Sequence, residues 1–185
     1  MRNSLLIVIV ILMLGCSNSS QNSNASSAKP GQDKVVITND MENAKAMIPS
    51  WNNEISVVKM DNGKAHSGEY VSKVDEITLY SYAYGEIFKN ISDKLPKKVE
   101  VNGWIYSPDP SKNLGIVMDI SENNKTQIWK AFSINDLIKA PDKWFEFTAY
   151  FSIDQPIKPN YKIKIYGYGG KKIAYFDDFK ITFEY

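Results

Sequence analysis

The sequence predicts an all-β domain: an antiparallel two-sheet β-sandwich of jelly-roll shape over residues 34–185. Three observations predict it. Apolar and polar residues alternate with period two in many short runs. Clusters of Pro, Asn, Asp and Gly separate those runs. Only the stretches 134–138 and 40–47 read as short helical pieces. About nine or ten strands of this kind suit a sandwich better than a closed up-and-down barrel, because the loops between them are uneven.

The elements follow in order. Residues 35–38 open the domain with Val-Val-Ile-Thr. Residues 55–59 form a second run, closed by the turn Asp61-Asn62-Gly63. Residues 70–74 and 77–84 are further strands. In 99–106, Val99, Val101 and Ile105 share one face, while Glu100, Asn102, Trp104 and Tyr106 share the other. Ser107-Pro108-Asp109-Pro110 stops that strand. Residues 114–120 form another largely apolar run, ended by Glu122-Asn123-Asn124. In 144–153, Phe145, Phe147, Ala149, Phe151 and Ile153 face one way. Residues 161–168 and 172–185 complete the set, and no internal repeat is visible.

The domain is preceded by a leader. Arg2 gives a positive charge, residues 5–14 are unbroken apolar, and Gly15-Cys16 follows. That is a secretory signal over residues 1–15. The run is too short to cross a bilayer, which takes ~20 residues. Met13-Leu14-Gly15-Cys16 resembles the lipobox of bacterial lipoproteins, with Met13 where Leu is usual. The resemblance implies cleavage before Cys16, lipid on its sulfur, and a membrane held through that lipid. Cys16 is the only cysteine, so the domain has no disulfide. Residues 16–33 are rich in Ser, Asn, Gln and Ala and read as a flexible tether. Ser17 stands where Asp would mark inner-membrane retention, so the expected place is the cell envelope, and the outer membrane in a Gram-negative cell.

Charge excludes some partners. Loss of residues 1–15 removes the only arginine and leaves 21 lysines against 21 carboxylates. A neutral chain without arginine is a poor nucleic-acid binder. It also lacks the basic excess of a polybasic membrane-surface module.

Several local patterns then align in order. Met41-Glu42 follows the opening strand. Ala65-His66-Ser67-Gly68-Glu69-Tyr70 forms a turn and strand. Trp104 lies on a middle strand, Trp144 begins a long one, and Tyr175-Phe176-Asp177-Asp178-Phe179-Lys180-Ile181 closes the domain. Together these resemble the jelly-roll carbohydrate-binding modules of families 4, 9 and 22, within the galactose-binding-like superfamily. The resemblance implies a non-catalytic domain, glycan binding on a concave sheet or at loop tips, and often one structural calcium.

Asp177 shares the parity of Ile173, Tyr175, Phe179, Ile181 and Phe183, which directs a carboxylate toward the core. A buried charge needs a cation or several hydrogen bonds. One reading makes Asp177 and Glu42 ligands of a structural Ca2+, completed by carbonyls of residues 64–67. The other has Asp177 accept backbone N–H groups and pin two loops. Asp178 is expected to point the opposite way into solvent.

Catalysis lacks residues. Neighbouring Asp177 and Asp178 on one strand would face opposite sides, so they do not form a glycosidase pair. His66 is the only histidine and sits in a turn, where a structural hydrogen-bonding role is expected. Aromatic rings are the remaining candidates, because sugars stack apolar C–H faces on them. Trp104, Tyr106, Trp129, Tyr82, Tyr166 and Tyr168 are the expected ligand-facing residues, with Gln127 and Lys130 near Trp129 to bond hydroxyls. Tyr80, Tyr82 and Tyr84 are expected on one face. Trp144 is expected to be structural, and Trp51, in a loop after Pro49, is expected either at a binding rim or under a loop. The expected function is a lipid-anchored, non-catalytic protein that holds a polysaccharide or oligosaccharide near the envelope. The alternative is a structural or protein-interaction lipoprotein, such as an adhesin or accessory subunit.

Overall fold

The computed structural model describes residues 33–46, 48–60, 64–109 and 113–185. The expected leader, Cys16, the tether through residue 32 and the turn at 61–63 lie outside the described residues.

Eleven strands are described: β1 (Lys34–Asn39), β2 (Trp51–Asn52), β3 (Val57–Lys59), β4 (Tyr70–Val74), β5 (Ala83–Ile87), β6 (Lys98–Tyr106), β7 (Gly115–Glu122), β8 (Lys125–Ser133), β9 (Trp144–Ser152), β10 (Lys162–Tyr168) and β11 (Ala174–Glu184). One short helix, α1 (Phe88–Ile91), follows β5. All pairings are antiparallel. One sheet runs β3-β4-β11-β6-β9, with β1 also on β11, and the other runs β2-β5-β10-β7-β8. Two sheets packed face to face make the expected jelly-roll β-sandwich.

Alternation explains the core. In β6, Val99, Val101 and Ile105 are fully buried, as are Phe147 and Ala149 of β9 or nearly so. Ile163 and Ile165 of β10 and Ile116, Met118 and Ile120 of β7 meet them from the other sheet. Trp51 is not at a rim: it is buried, and its ring stacks on Tyr82 at 5.4 Å.

Three differences from the sequence reading bear on the site. The first is β8, which alternation did not reveal. Its core-side residue Lys130 reaches out to the Ser152 carbonyl and Asp154, while Trp129 sits on the solvent side. An edge strand with a lysine inward and a tryptophan outward carries the amphipathic signal reversed.

The second is 77–84. Asp75 accepts the amides of Ile77 and Thr78, which makes a turn there. Tyr80 then bridges Tyr168, and β5 begins only at Ala83. Tyr80 is therefore outside at 47% exposure, while Tyr82 and Tyr84 are core residues.

The third is β11. Its register with β6 slips between Asp177 and Lys180, and Asp178 is left-handed at φ 50. This β-bulge swaps the faces of the two halves. Ala174 and Phe176 face the core before it, and Phe179, Ile181 and Phe183 after it. Asp177 pairs with Trp104 on the outer side, contrary to the parity argument. It is still fully buried, because the 64–69 turn covers it.

Candidate functional site

The outer face of the five-stranded sheet carries a groove. Strand alternation places Tyr166 and Tyr168 of β10 on this face, opposite Ile163 and Ile165. Tyr80 stands edge-on to Tyr166, with ring centroids 5.0 Å apart, and lies 5.9 Å from Tyr168. Trp129 rises from β8 at 59% exposure. These rings and the small floor residues Gly115, Val117 and Ala131 line a depression of about 520 Å³. Burial raises the Tyr166 hydroxyl pKa, the Trp129 indole opposing that shift.

A second depression, of about 470 Å³, adjoins the first and shares Tyr80 and Tyr166 with it. Its polar lining comes from Asn52, Asn53, Asp119, Lys162 and Lys164, over Ala83 and Gly85. One half of the groove is thus aromatic and the other charged, an arrangement suited to a ligand with apolar ring faces and polar edges.

Of the expected ligand-facing rings, Trp129, Tyr166 and Tyr168 meet here. Tyr82 does not: it is fully buried, and packing against Trp51 makes it core. Trp104 and Tyr106 lie on the outer face of the other sheet. There the His66 ring stacks on Trp104 at 3.8 Å, and Tyr106 packs against Trp144 and Tyr175. The Tyr106 hydroxyl donates to Asp142, which pushes its pKa up to about 12. Trp144 donates its indole N–H to the Lys64 carbonyl at 2.7 Å, the structural role expected of it. The two aromatic sets are on opposite sides of the sandwich and line no common groove. Gln127 bonds the Lys125 carbonyl, and Lys130 points to the other side of β8, so neither joins Trp129 as expected. The sequence names Tyr80 only as sharing a face with Tyr82 and Tyr84, and does not single out Asp119 and Lys164. A lone carboxylate inside the apolar stretch 116–120 was the available signal for Asp119.

Glu42 and Asp177 converge on one turn. Glu42 Oε1 accepts the amides of Glu69 and Tyr70, at 2.9 and 2.8 Å. Asp177 Oδ2 accepts those of His66 and Ser67, at 3.1 and 3.2 Å. Gly68, at φ +54, lies so close to Glu42 that a Cβ would collide with its carboxylate. Burial pushes the Asp177 carboxyl up to about 7; the Ser67 amide opposes this, the Asp178 charge adds to it, and the Asp178 and His66 amides oppose it. The amide contacts are those the loop-pinning reading requires. The donor set is also all oxygen, which is calcium chemistry. Among the described residues no group of three or more His, Cys, Asp or Glu side chains is placed to hold a metal ion, so a cation here would need main-chain oxygens as well.

Asp178 is not free in solvent. The bulge turns it back onto the same turn, where it accepts from His66 Nδ1 at 2.6 Å and from Ser67 Oγ at 2.7 Å. Both aspartates thus reach one side, contrary to the expectation for strand neighbours. The Ser67 hydroxyl is directed at the carboxylate and not at the imidazole. A serine–histidine–aspartate device needs the serine on the histidine, so this trio holds a loop and activates no nucleophile.

No family model and no curated protein sequence matches the chain. Solved structures match in fold. The CBM22-2 xylan-binding domain from Paenibacillus barcinonensis Xyn10C is 12% identical with a TM-score of 0.53, over 80% of this chain and 98% of that one. The tandem CBM22-1-CBM22-2 domain of the same protein is 14% identical with a TM-score of 0.54, over 85% of this chain and 47% of that one. A cyclase from Fischerella sp. TAU is 13% identical with a TM-score of 0.42, over 86% of this chain and 88% of that one. The described domain shares the jelly-roll fold of these carbohydrate-binding modules.

Proposed function

We propose that this chain is a lipid-anchored, non-catalytic glycan-binding protein that takes a polysaccharide or oligosaccharide in the groove beside Trp129. The observation that carries the reading is the convergence of Trp129, Tyr80, Tyr166 and Tyr168 around one open groove on the solvent side of a sheet. Trp129 is left 59% exposed, so most of its ring is open to a ligand. A sugar face stacked on it would bury it. Likeness to xylan-binding modules supports the same reading through the fold.

The remaining parts of the proposal rest on the sequence. The tetrad ending at Cys16 supports a diacylated cysteine holding the domain to a membrane, and Ser17 supports the outer membrane where the cell has one. A structural calcium between Glu42 and Asp177 is supported by their convergence on the 64–70 turn and by its oxygen donors. There its role would be to fix the turn, on the sheet opposite the groove.

Affinity electrophoresis of the whole chain through gels containing xylan, β-1,4-galactan or β-mannan tests the binding. Retardation of the wild type that disappears in Trp129→Ala is expected. Free migration of the wild type through every polymer would refute the reading. Mass spectrometry of the N-terminal peptide should find the lipid on Cys16, and an unmodified thiol would remove the anchor.

A further inference from the structure

Strand register sets three side chains in one row across the groove. Lys164 of β10 pairs with Asp119 of β7, and Asp119 pairs with Trp129 of β8. Beyond Lys164 the row ends on Gly85, which has no side chain to close it. Asp119 interrupts an otherwise apolar stretch, and its Oδ1 is buried with no hydrogen-bond partner among the described residues. Lys164 forms no ion pair among the described residues, with Asp119 or any other carboxylate. An unsatisfied buried acceptor is costly, and native structures keep few of them. Such a defect at a groove centre is where function overrides stability.

We propose that the row Lys164–Asp119–Trp129 is a subsite that reads adjacent free hydroxyls on one uncharged pyranose ring; this rests on the glycan reading above. The ring lies on Trp129. One hydroxyl donates to the Asp119 carboxylate, which turns easily about its terminal bond. The neighbouring hydroxyl accepts from Lys164 Nζ. Hydrogen bonds to charged groups are the stronger kind, so this pair sets specificity.

Charge selects the class. Asp119 is the one carboxylate among the described lining residues, with Lys162 and Lys164 beside it. A uronate or sulfate would set its charge against Asp119, at a cost. Acetyl or methyl groups on the two hydroxyls would remove the donor that Asp119 lacks.

The test compares wild type, Asp119→Asn and Lys164→Met as whole chains on soluble xylan, β-1,4-galactan and β-mannan. Each polymer is used free and O-acetylated, with polygalacturonate alongside. The wild type should bind a free polymer and lose it on acetylation. Asp119→Asn should weaken that binding about tenfold, the step from a charged to a neutral hydrogen bond. Its melting temperature should be no lower than wild type, because it removes a charge from a carboxyl whose Oδ1 is buried without a donor. Undiminished binding by Asp119→Asn, equal binding of acetylated polymers, or preference for polygalacturonate would each overturn the subsite while leaving glycan binding intact. A fall in the melting temperature of Asp119→Asn would make the carboxylate structural and overturn it too. Wild type bound to no polymer would remove both readings together.

Discussion

Asp119 and Trp129 stand directly opposite one another on the paired strands β7 and β8, on the sheet face turned away from the core. One is a carboxylate with a buried oxygen that lacks a donor, the other a ring that is more than half exposed. Neither arrangement helps the domain fold, and both suit a ligand. The other aromatic face is built differently: there Trp104 is covered by His66.

That contrast gives a paired prediction. Trp129→Ala should abolish glycan binding with stability within about 0.5 kcal/mol of wild type, as for other surface substitutions. Trp104→Ala should leave binding intact and lower stability by roughly 1–3 kcal/mol, because it removes the surface on which His66 packs. Melting curves beside affinity electrophoresis read both.

Tyr82 predicts opposite outcomes for two substitutions. Its ring is fully buried, and its hydroxyl has no partner among the described residues. Burial pushes that hydroxyl up to about 12. Tyr82→Ala should cost about 3–5 kcal/mol in denaturant unfolding, the range for large core rings. Tyr82→Phe should raise stability by roughly 1 kcal/mol, since it deletes only an unsatisfied polar atom.

Asp75 predicts an acid limb. Its carboxylate accepts the Thr78 and Ile77 amides and pairs with Lys73 at 3.0 Å. The Thr78 amide, Lys73 and then the Ile77 amide hold it down to about 2. A pKa lowered in the folded state contributes stability that is full above the unfolded value, near ~4, and is lost as pH falls toward the folded one. Asp75→Asn should therefore melt below wild type at neutral pH, and the gap should close as pH approaches 2. Parallel melting curves that keep a constant gap over that range would contradict it.

The proposed calcium makes a separate prediction. A ligand that binds only the folded state raises its stability. Added Ca2+ should raise the melting temperature of the wild type, chelator should lower it, and Glu42→Gln should abolish the difference. A melting temperature indifferent to chelator leaves Glu42 and Asp177 as amide acceptors that pin the 64–70 turn.

The sequence by itself determined the two-sheet architecture, because alternation is local: β6, β9 and β10 show their buried faces residue by residue. It determined the likeness at Cys16 for the same reason, since a signal and its cleavage tetrad are contiguous. It also placed Tyr166 and Tyr168 opposite Ile163 and Ile165, and drew attention to Trp129. Which rings share a groove was decided only by tertiary structure, because partners on one sheet face are set by strand order and register. Trp104 and Trp129 look equivalent along the chain, yet they lie on β6 and β8 in different sheets. Parity failed wherever the backbone left regular pleating. The bulge at Asp177–Lys180 exchanged faces, and the turn held by Asp75 sent Tyr80 outward while Tyr82 went in. Asp119 shows the same division. Its place in an apolar strand was legible, but its empty oxygen between Lys164 and Trp129 exists only once three strands pair.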